Sequence, residues 1–409
     1  MSNRRVVVTG IGTITPLGNH PEVLFQNLMQ GVSGIRHLET AFVDTLDCKL
    51  AAWIEDFDPL VYFSKNQAAT MDRTTQLSVA ASKNAIEDAK LDLATENCER
   101  IGVYLGSGMV GANSIEEGYS RLFVERAKRL KPFTVLMSMN NAASAQVALD
   151  FGLLGPDITF CTACSSSAVA IGEGVKQIRH GYTDVMLVGG AESLLTHGTM
   201  KAWEALRTLA NEDEANPSAS CKPFSLDRTG LILGEGAAMF VIEEMDRAIA
   251  RGANIYAEII GYGTSNDSAH ITQPSVDGQV RAMLHALKDA GIDGSEIDYI
   301  NAHGTGTKLN DAVETEAIKA AVGHNSPVSS TKSMHGHLMG ASSAVEFSVC
   351  LMAIKNQAIP PTANLAVPDP ALDLDYVPNL GRENVKVETV MSNSFAFGGT
   401  GGVLIARKV

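Results

Sequence analysis

Short runs of apolar, often β-branched residues alternate along the chain with longer stretches whose apolar positions recur at helical spacing. The pattern predicts strands at 5–12, 100–108 and 184–190, helices at 66–90 and 112–129, and a polar surface loop at 209–222. The first strand closes on Gly10-Ile11-Gly12, which is typical of a close turn. Buried strands that alternate with helices indicate an α/β architecture with helix-covered sheets.

The stretch 158–181 carries the clearest chemistry. An apolar run stops at Cys164, small residues follow, and helical periodicity then begins, so the cysteine is predicted at a strand–helix corner. We expect the hydroxyls of residues 165–167 to cap the helix, and the helix dipole to favour a reactive thiolate. A buried and inert cysteine is the alternative, and the local sequence does not decide between the two.

Three further strand ends carry polar corners. His303 stands in the corner of 298–307, His337 in that of 328–341, and Phe397 in the glycine-rich turn of 392–400. Both histidines lie among glycines and small polar residues, where a packed core side chain is not expected. The four strand ends can converge on one pocket.

A weak internal repeat is visible. Residues 233–243 and 397–407 are both glycine-rich turns that lead into an apolar strand, and each closes one half of the chain. Two related α/β halves are therefore predicted, spanning 1–250 with the cysteine and 251–409 with the two histidines.

Charge and cysteine usage exclude several classes of function. A formal net charge of −14 argues against nucleic-acid binding. Six scattered cysteines indicate reduced thiols, and the C-x-x-C pair Cys161 and Cys164 has no second pair to complete a zinc site; a redox pair is the less favoured alternative. No apolar run reaches membrane-spanning length and the start does not resemble a signal peptide, so we expect a cytoplasmic protein without membrane insertion.

Four motifs occur in order along the chain: T-A-C-S-S, N-A-H-G-T-G-T, T-K-S-x-x-G-H and N-S-F-x-F-G-G-T. Together they resemble the elongating β-ketoacyl-acyl-carrier-protein synthases of the thiolase superfamily, closest in pattern to synthase II. The resemblance covers essentially the whole chain. It implies the thiolase-like fold, with two related halves in a layered αβαβα arrangement.

The resemblance also implies an activity: acyl transfer to the cysteine, then decarboxylative condensation with malonyl-carrier protein to extend a fatty-acid, polyene or polyketide chain. It assigns Cys164 as the nucleophile, His303 and His337 as the decarboxylating pair, Lys332 with Glu346 as the pair that holds the histidines, and Phe397 as the gate. Backbone N–H groups of Cys164 and Phe397 are expected to form the oxyanion hole. Further positions are the pantetheine contacts Thr272, Thr305 and Thr307 and the acyl-pocket residue Met109. No metal or other cofactor is expected, because the carrier protein brings the phosphopantetheine.

Acidic carrier proteins are the implied partners, which turns a basic cluster into a predicted docking surface. The cluster consists of Lys65, Arg126, Lys128, Arg129, Lys131 and Arg207. A solvated surface without a partner is the alternative. A homodimer is expected, or a heterodimer with a ketosynthase-like chain-length factor.

Departures from the family pattern leave the pathway open. Ser165-Ser166-Ser167 and Thr307 resemble polyketide condensing enzymes, and His335 stands where synthase II usually has a threonine. A thiolase would need a second cysteine in the last glycine turn, and an initiating synthase would have asparagine instead of His337. A chain-length factor would usually lack the nucleophile that Cys164 supplies.

Overall fold

A ten-stranded mixed sheet organises the molecule, in the order β10-β9-β11-β12-β8-β1-β7-β6-β4-β5, while β2 and β3 form a small separate pair. The computed structural model describes residues 4–409, so the first three positions of the predicted N-terminal half lie outside the described residues. The strands are Val6–Ile14 (β1), Ile35–His37 (β2), Leu50–Ala52 (β3), Ile101–Gly106 (β4), Asp157–Phe160 (β5), Val185–Glu192 (β6), Gly236–Glu244 (β7), Ala257–Asn266 (β8), Tyr299–Asn301 (β9), Val328–Ser329 (β10), Thr389–Phe395 (β11) and Thr400–Arg407 (β12).

Helices flank this sheet on both faces. They are Pro21–Met29 (α1), Lys65–Ala68 (α2), Arg73–Asp88 (α3), Ala112–Phe123 (α4), Thr134–Ser138 (α5), Ala142–Phe151 (α6), Ser166–Arg179 (α7), His197–Ala205 (α8), Met245–Ala250 (α9), Val276–Ala290 (α10), Lys308–Ala321 (α11), Lys332–His335 (α12) and Ser342–Asn356 (α13). Within residues 4–409, no helix is long and apolar enough to cross a membrane.

The strand order repeats between the two halves. From the centre outward the first half runs β1-β7-β6-β4-β5 and the second runs β8-β12-β11-β9-β10. In both halves the two inner pairs are antiparallel and the outer three strands are parallel. The halves join through a short antiparallel contact between β1 and β8. The predicted fold of two related α/β halves is confirmed.

The layers follow from the helix contacts. Helices α7 and α13 pack against each other between the half-sheets, α3 and α6 cover the outer face of the first half, and α10 with α11 covers that of the second. Every residue of α13 from Ser342 to Ile354 is buried. This is the αβαβα arrangement, in which the central helices must be apolar or internally satisfied on all sides.

Three predicted elements differ from those observed. Gly10 and Gly12 lie inside β1 and not at a turn. They are glycines because α3 packs closely on the strand: a Cβ would stand 2.2 Å and 2.0 Å from carbonyl oxygens of that helix. The predicted helix at 66–90 divides into α2 and α3, since Asp72 accepts the Thr74 N–H and caps a new helix. The helix predicted over 112–129 ends at Phe123, and Arg126 adopts a left-handed φ of 57°.

Candidate active site

The loop between β5 and α7 presents Cys164. The strand ends at Phe160, and a 3₁₀ turn over Ala163–Ser165 places the cysteine directly before the helix, where its side chain is buried. The expected hydroxyl cap is wrong, because Ser165 makes no capping hydrogen bond. Ser166 Oγ instead accepts the Thr162 N–H at 2.9 Å and donates to the Ala163 carbonyl, which fastens the turn itself. These bonds hold the sulfur at the corner.

His337 lies next to this sulfur, with 3.1 Å between its Nε2 and Cys164 Sγ. The Met339 N–H donates to His337 Nδ1 at 3.2 Å, and Ser342 Oγ lies 2.8 Å from the same nitrogen. A backbone N–H can only donate, so Nδ1 is the unprotonated nitrogen of the neutral ring. The proton is therefore on Nε2, which faces the sulfur.

His303 has the same arrangement through a different donor. Lys332 Nζ lies 3.4 Å from His303 Nδ1, so the lysine donates there and the ring proton is on Nε2. The two imidazole centroids are 5.4 Å apart at 84°. Glu314 fixes the corner by accepting the N–H groups of His303 at 2.8 Å and of Gly304 at 2.7 Å. Burial and the Lys332 charge hold the pKa of both histidines well below the ordinary value, so both rings are neutral.

Lys332 forms a fully buried ion pair with Glu346 behind the histidines. Burial raises the pKa of Glu346 to about 7. His335 is also fully buried; its Nδ1 donates to the Gly336 carbonyl at 2.8 Å, and its Nε2 lies 2.9 Å from Thr331 Oγ1. Burial and the Lys332 charge lower the pKa of His335 to about 3, so it is a neutral neighbour of the ion pair.

The ionisation of Cys164 differs from the expectation. Burial raises the pKa of its thiol to about 12, although the Lys332 charge and the backbone N–H groups of Phe397 and Cys164 act in the opposite direction. Desolvation of the buried sulfur therefore acts against the thiolate that the helix start was expected to favour.

A cavity of about 140 Å³ opens onto this cluster. Cys164, His303, His337 and the half-buried Phe397 line it. The three predicted pantetheine contacts line it as well: Thr272, Thr305 and Thr307. Thr305 Oγ1 and Thr307 Oγ1 lie 2.9 Å apart, and Thr307 also caps α11. The structure thus brings together the residues assigned to chemistry and to the pantetheine arm.

Other predicted positions lie elsewhere. Met109 is 48% exposed and lines a separate groove of about 530 Å³ between α4 and α8. Among the basic residues, Lys131 pairs with Glu117, while Arg207 directly precedes the cavity-lining Thr208. All six basic side chains are at exposed positions, namely Lys65, Arg126, Lys128, Arg129, Lys131 and Arg207.

Among the residues of the site that the sequence did not reveal, two hold catalytic elements in place. Trp203 lines the cavity and stacks on Phe397, and Glu314 anchors the His303 corner. Trp203 lies in an ordinary helix, which gives no local signal. Glu314 lies seven residues after the end of the N-A-H-G-T-G-T motif, about two helical turns, so its spacing could have indicated a carboxylate that faces the corner.

The same cluster has the spacing of a metal site, because the ligand atoms of Cys164, His303 and His337 lie within 4.8 Å of one another. Metal binding would need lone pairs on both Nε2 atoms. The Met339 N–H and Lys332 Nζ direct the lone pairs to Nδ1 instead, and the buried Lys332 charge disfavours a second cation. The donor set fits a metal poorly.

Comparisons with known proteins agree with this geometry. A family model described as Beta-ketoacyl synthase, N-terminal domain matches residues 3–248, and one described as Beta-ketoacyl synthase, C-terminal domain matches 256–366. The 3-oxoacyl-[acyl-carrier-protein] synthase 2 of Staphylococcus aureus (strain COL) is 39% identical over 411 residues, which is 99% of each chain. The protein of the same name from Vibrio cholerae is 40% identical over 415 residues and covers both chains completely.

Solved structures are also similar to this chain over nearly its whole length. A β-ketoacyl synthase from Burkholderia phymatum STM815 superposes with a TM-score of 0.92 at 34% identity, covering 99% of this chain and 100% of that one. The ishigamide ketosynthase/chain length factor superposes with a TM-score of 0.93 at 34% identity over 100% of both chains.

Proposed function

The chain belongs to the β-ketoacyl synthase family, and we propose that it loads an acyl chain on Cys164 and extends it by two carbons with malonyl-carrier protein. It is an acyltransferase of the 3-oxoacyl-[acyl-carrier-protein] synthase class. One observation supports the proposed roles best: two neutral imidazoles present Nε2–H groups beside one buried thiol.

The first step is thioester exchange. Cys164 sulfur attacks the carbonyl carbon of the acyl-carrier thioester, and the carrier thiol leaves as the sulfur–carbon bond breaks. The proton of the Cys164 thiol passes to the departing pantetheine sulfur, so the step is balanced without an external base. The tetrahedral oxyanion is stabilised by backbone N–H groups of Cys164 and Phe397, both of which hydrogen-bond the resting sulfur.

The second step forms the carbon–carbon bond. Malonyl-carrier protein loses carbon dioxide, and the electron pair of the broken bond becomes an enolate whose thioester oxygen accepts hydrogen bonds from the Nε2–H groups of His303 and His337. The enolate carbon then attacks the acyl carbonyl on Cys164, and the sulfur–carbon bond breaks with its electron pair on the cysteine sulfur. The resulting thiolate takes up one proton from solvent, which replaces the proton that left with the carrier thiol in the first step. Neutral donors suit this step, because they stabilise the oxygen without protonating the carbon.

The surrounding residues hold the donors in place. Lys332, paired with Glu346, fixes the His303 tautomer, and neutral His335 packs beside that pair. Thr272, Thr305 and Thr307 are proposed to contact the pantetheine arm, and Phe397 is proposed to gate access to the sulfur. The acyl chain is proposed to run toward the groove at Met109.

Carrier binding is proposed at the exposed basic residues, with Arg207 next to the mouth of the cavity. A protein with net charge −14 needs a local positive patch to attract an acidic carrier. Location in the cytoplasm and the division of the halves at residue 250 stay predictions.

Dimer formation is supported by an apolar face around α4, α5 and the edge strand β5. Large apolar side chains are exposed there, including Tyr119, Phe123, Val124, Val135, Leu136 and Ile158. An unpaired edge strand beside such a face favours a protein partner. We propose a second copy of this chain; a ketosynthase-like chain-length factor is the second candidate, because a solved neighbour is such a pair. The mass of the purified protein, alone and co-expressed with such a factor, distinguishes them.

Intact mass spectrometry after incubation with acyl-carrier proteins of varied chain length tests the proposal. We expect a single acyl adduct that is absent from Cys164→Ala and retained by Cys161→Ala, a free and exposed cysteine three residues away. Folded protein that forms no adduct with any carrier would contradict the proposed function.

A further inference from the structure

Glu192, the last residue of β6, is a fully buried carboxylate outside the proposed catalytic set. Its Oε1 accepts hydrogen bonds from Ser107 Oγ at 3.1 Å and from the Met109 N–H at 3.0 Å. Its Oε2 accepts the N–H groups of Gly108 at 2.6 Å and of Gly340 at 3.0 Å. Burial raises the pKa of Glu192, and these four donors act in the opposite direction because they stabilise the ionised form.

The carboxylate joins two turns that have different tasks. Gly108 and Met109 follow β4 at the proposed acyl groove. Gly340 follows Met339, whose N–H determines which nitrogen of His337 carries the proton. No side chain separates the turns: a Cβ on Gly340 would lie 2.5 Å from the Gly108 nitrogen. A displacement of one turn is therefore transmitted to the other.

We propose that Glu192 is a positioning residue that couples the acyl-groove turn to the orientation of His337. It acts through backbone N–H groups and touches no substrate. An acyl chain in the groove contacts the turn of Gly108 and Met109 and shifts it. Glu192 transmits this shift to Met339 and Gly340, which orient the imidazole of His337. The inference rests on the proposed function and extends it, because it makes condensation depend on how the groove is filled.

Glu192→Gln tests this coupling. With its NH₂ group in place of Oε1, the amide still accepts the N–H groups of Gly108 and Gly340. The NH₂ group then faces the Met109 N–H, so that bond is lost, and Ser107 Oγ must accept instead of donate. Glu243→Gln is the matched control: Glu243 is equally buried, and it lies opposite Val185 at the other end of the β6–β7 pair, away from the site. Acylation of Cys164 is followed by intact mass with carriers of increasing chain length, and condensation by product formation with malonyl-carrier protein.

In Glu192→Gln we expect condensation to fall about tenfold to a hundredfold more than acylation, because a small displacement of a catalytic donor costs this much. The dependence of condensation on chain length should flatten. Glu243→Gln should change both rates by one common factor. Equal losses in both steps, or no loss, in Glu192→Gln would overturn the coupling.

Ser107→Ala provides a second test if the glutamine variant does not fold. It removes one of the four bonds and leaves the carboxylate in place. The same selective loss at smaller size supports the inference, and equal effects on both steps contradict it. Failure of the unsubstituted protein to acylate Cys164 would instead contradict the proposed function.

Discussion

The indole ring of Trp203 stacks on the phenyl ring of Phe397, with 5.9 Å between the centroids and an interplanar angle of 22°. Both side chains line the cavity at Cys164. A stacked aromatic pair contributes about 0.5–1.5 kcal/mol beyond its buried area. The indole therefore holds the glycine-rich turn of Phe397 in its closed position, and this turn carries one of the two proposed oxyanion donors.

Tryptophan fluorescence can report movement of this turn. The chain has two tryptophans, so Trp53→Phe leaves Trp203 as the sole emitter. We expect its emission to change when Cys164 is acylated, because the phenyl ring must move to admit the chain. The double variant Trp53→Phe, Phe397→Ala should show no such change. An identical spectrum before and after acylation in the single-tryptophan protein would refute a moving gate.

Removal of either proposed donor should separate the two chemical steps. His303→Ala and His337→Ala are each expected to slow condensation by about 10²–10³, the usual cost of one lost oxyanion donor, while Cys164 is still acylated. Acylation is read by intact mass and condensation by product formation. His324→Ala, an exposed histidine, is the control. A variant that loses acylation to the same extent as condensation would show that its histidine acts on the thiol.

Stability should depend on pH through Glu314. Burial raises the pKa of this carboxyl from its ordinary value of 4.5 to about 7, so the folded state holds a proton that the unfolded state has released between these values. The contribution of this carboxyl to the free energy of unfolding is complete below about pH 4.5 and is lost as the pH rises through 7. At 1.36 kcal/mol per pH unit, the difference amounts to roughly 3 kcal/mol.

Denaturant unfolding of Glu314→Gln between pH 4.5 and 8 measures this contribution. The neutral amide should flatten the fall of the unfolding free energy relative to the parent protein. Glu316→Gln, an exposed position on the same helix, should leave the slope unchanged. A parallel pH dependence in parent and Glu314→Gln would show that the carboxyl does not titrate in this range.

Charge reversal at the mouth of the cavity should weaken carrier binding without slowing the chemical steps. Arg207→Glu is expected to raise the KM for acyl-carrier protein about fivefold at low salt, with less effect at high salt, because exposed charges are screened. The kcat value, and the KM for a free pantetheine thioester, should not change. Lys386→Glu is the control. Lys386 is exposed and lies just before the first residue of β11, whereas Phe397 follows the last residue of that strand. An equal effect from that variant would point to net charge and not to a docking site.

The sequence determined the positions of the chemistry. Cys164, His303 and Phe397 each follow closely on a strand, and strands β5, β9 and β11 are where the pattern placed them. His337 also follows a predicted strand, β10, but the short helix α12 lies between the two. Because the carboxyl ends of parallel strands lie along one edge of a half-sheet, and the two halves are related, four corners could be predicted to converge. The motifs also gave the family and the layered fold.

Tertiary structure decided what the converged groups do. The proton positions of the two histidines depend on Met339 and Lys332, the position of Phe397 depends on Trp203, and the pKa of Cys164 depends on burial by segments from both halves. The close packing of α3 on β1 likewise explains Gly10 and Gly12, which the pattern assigned to a turn. Periodicity in the sequence encodes local conformation and the face of each element that is buried. Desolvation, hydrogen-bond direction and ring stacking depend instead on residues that are distant in the chain. They therefore exist only once the core is assembled.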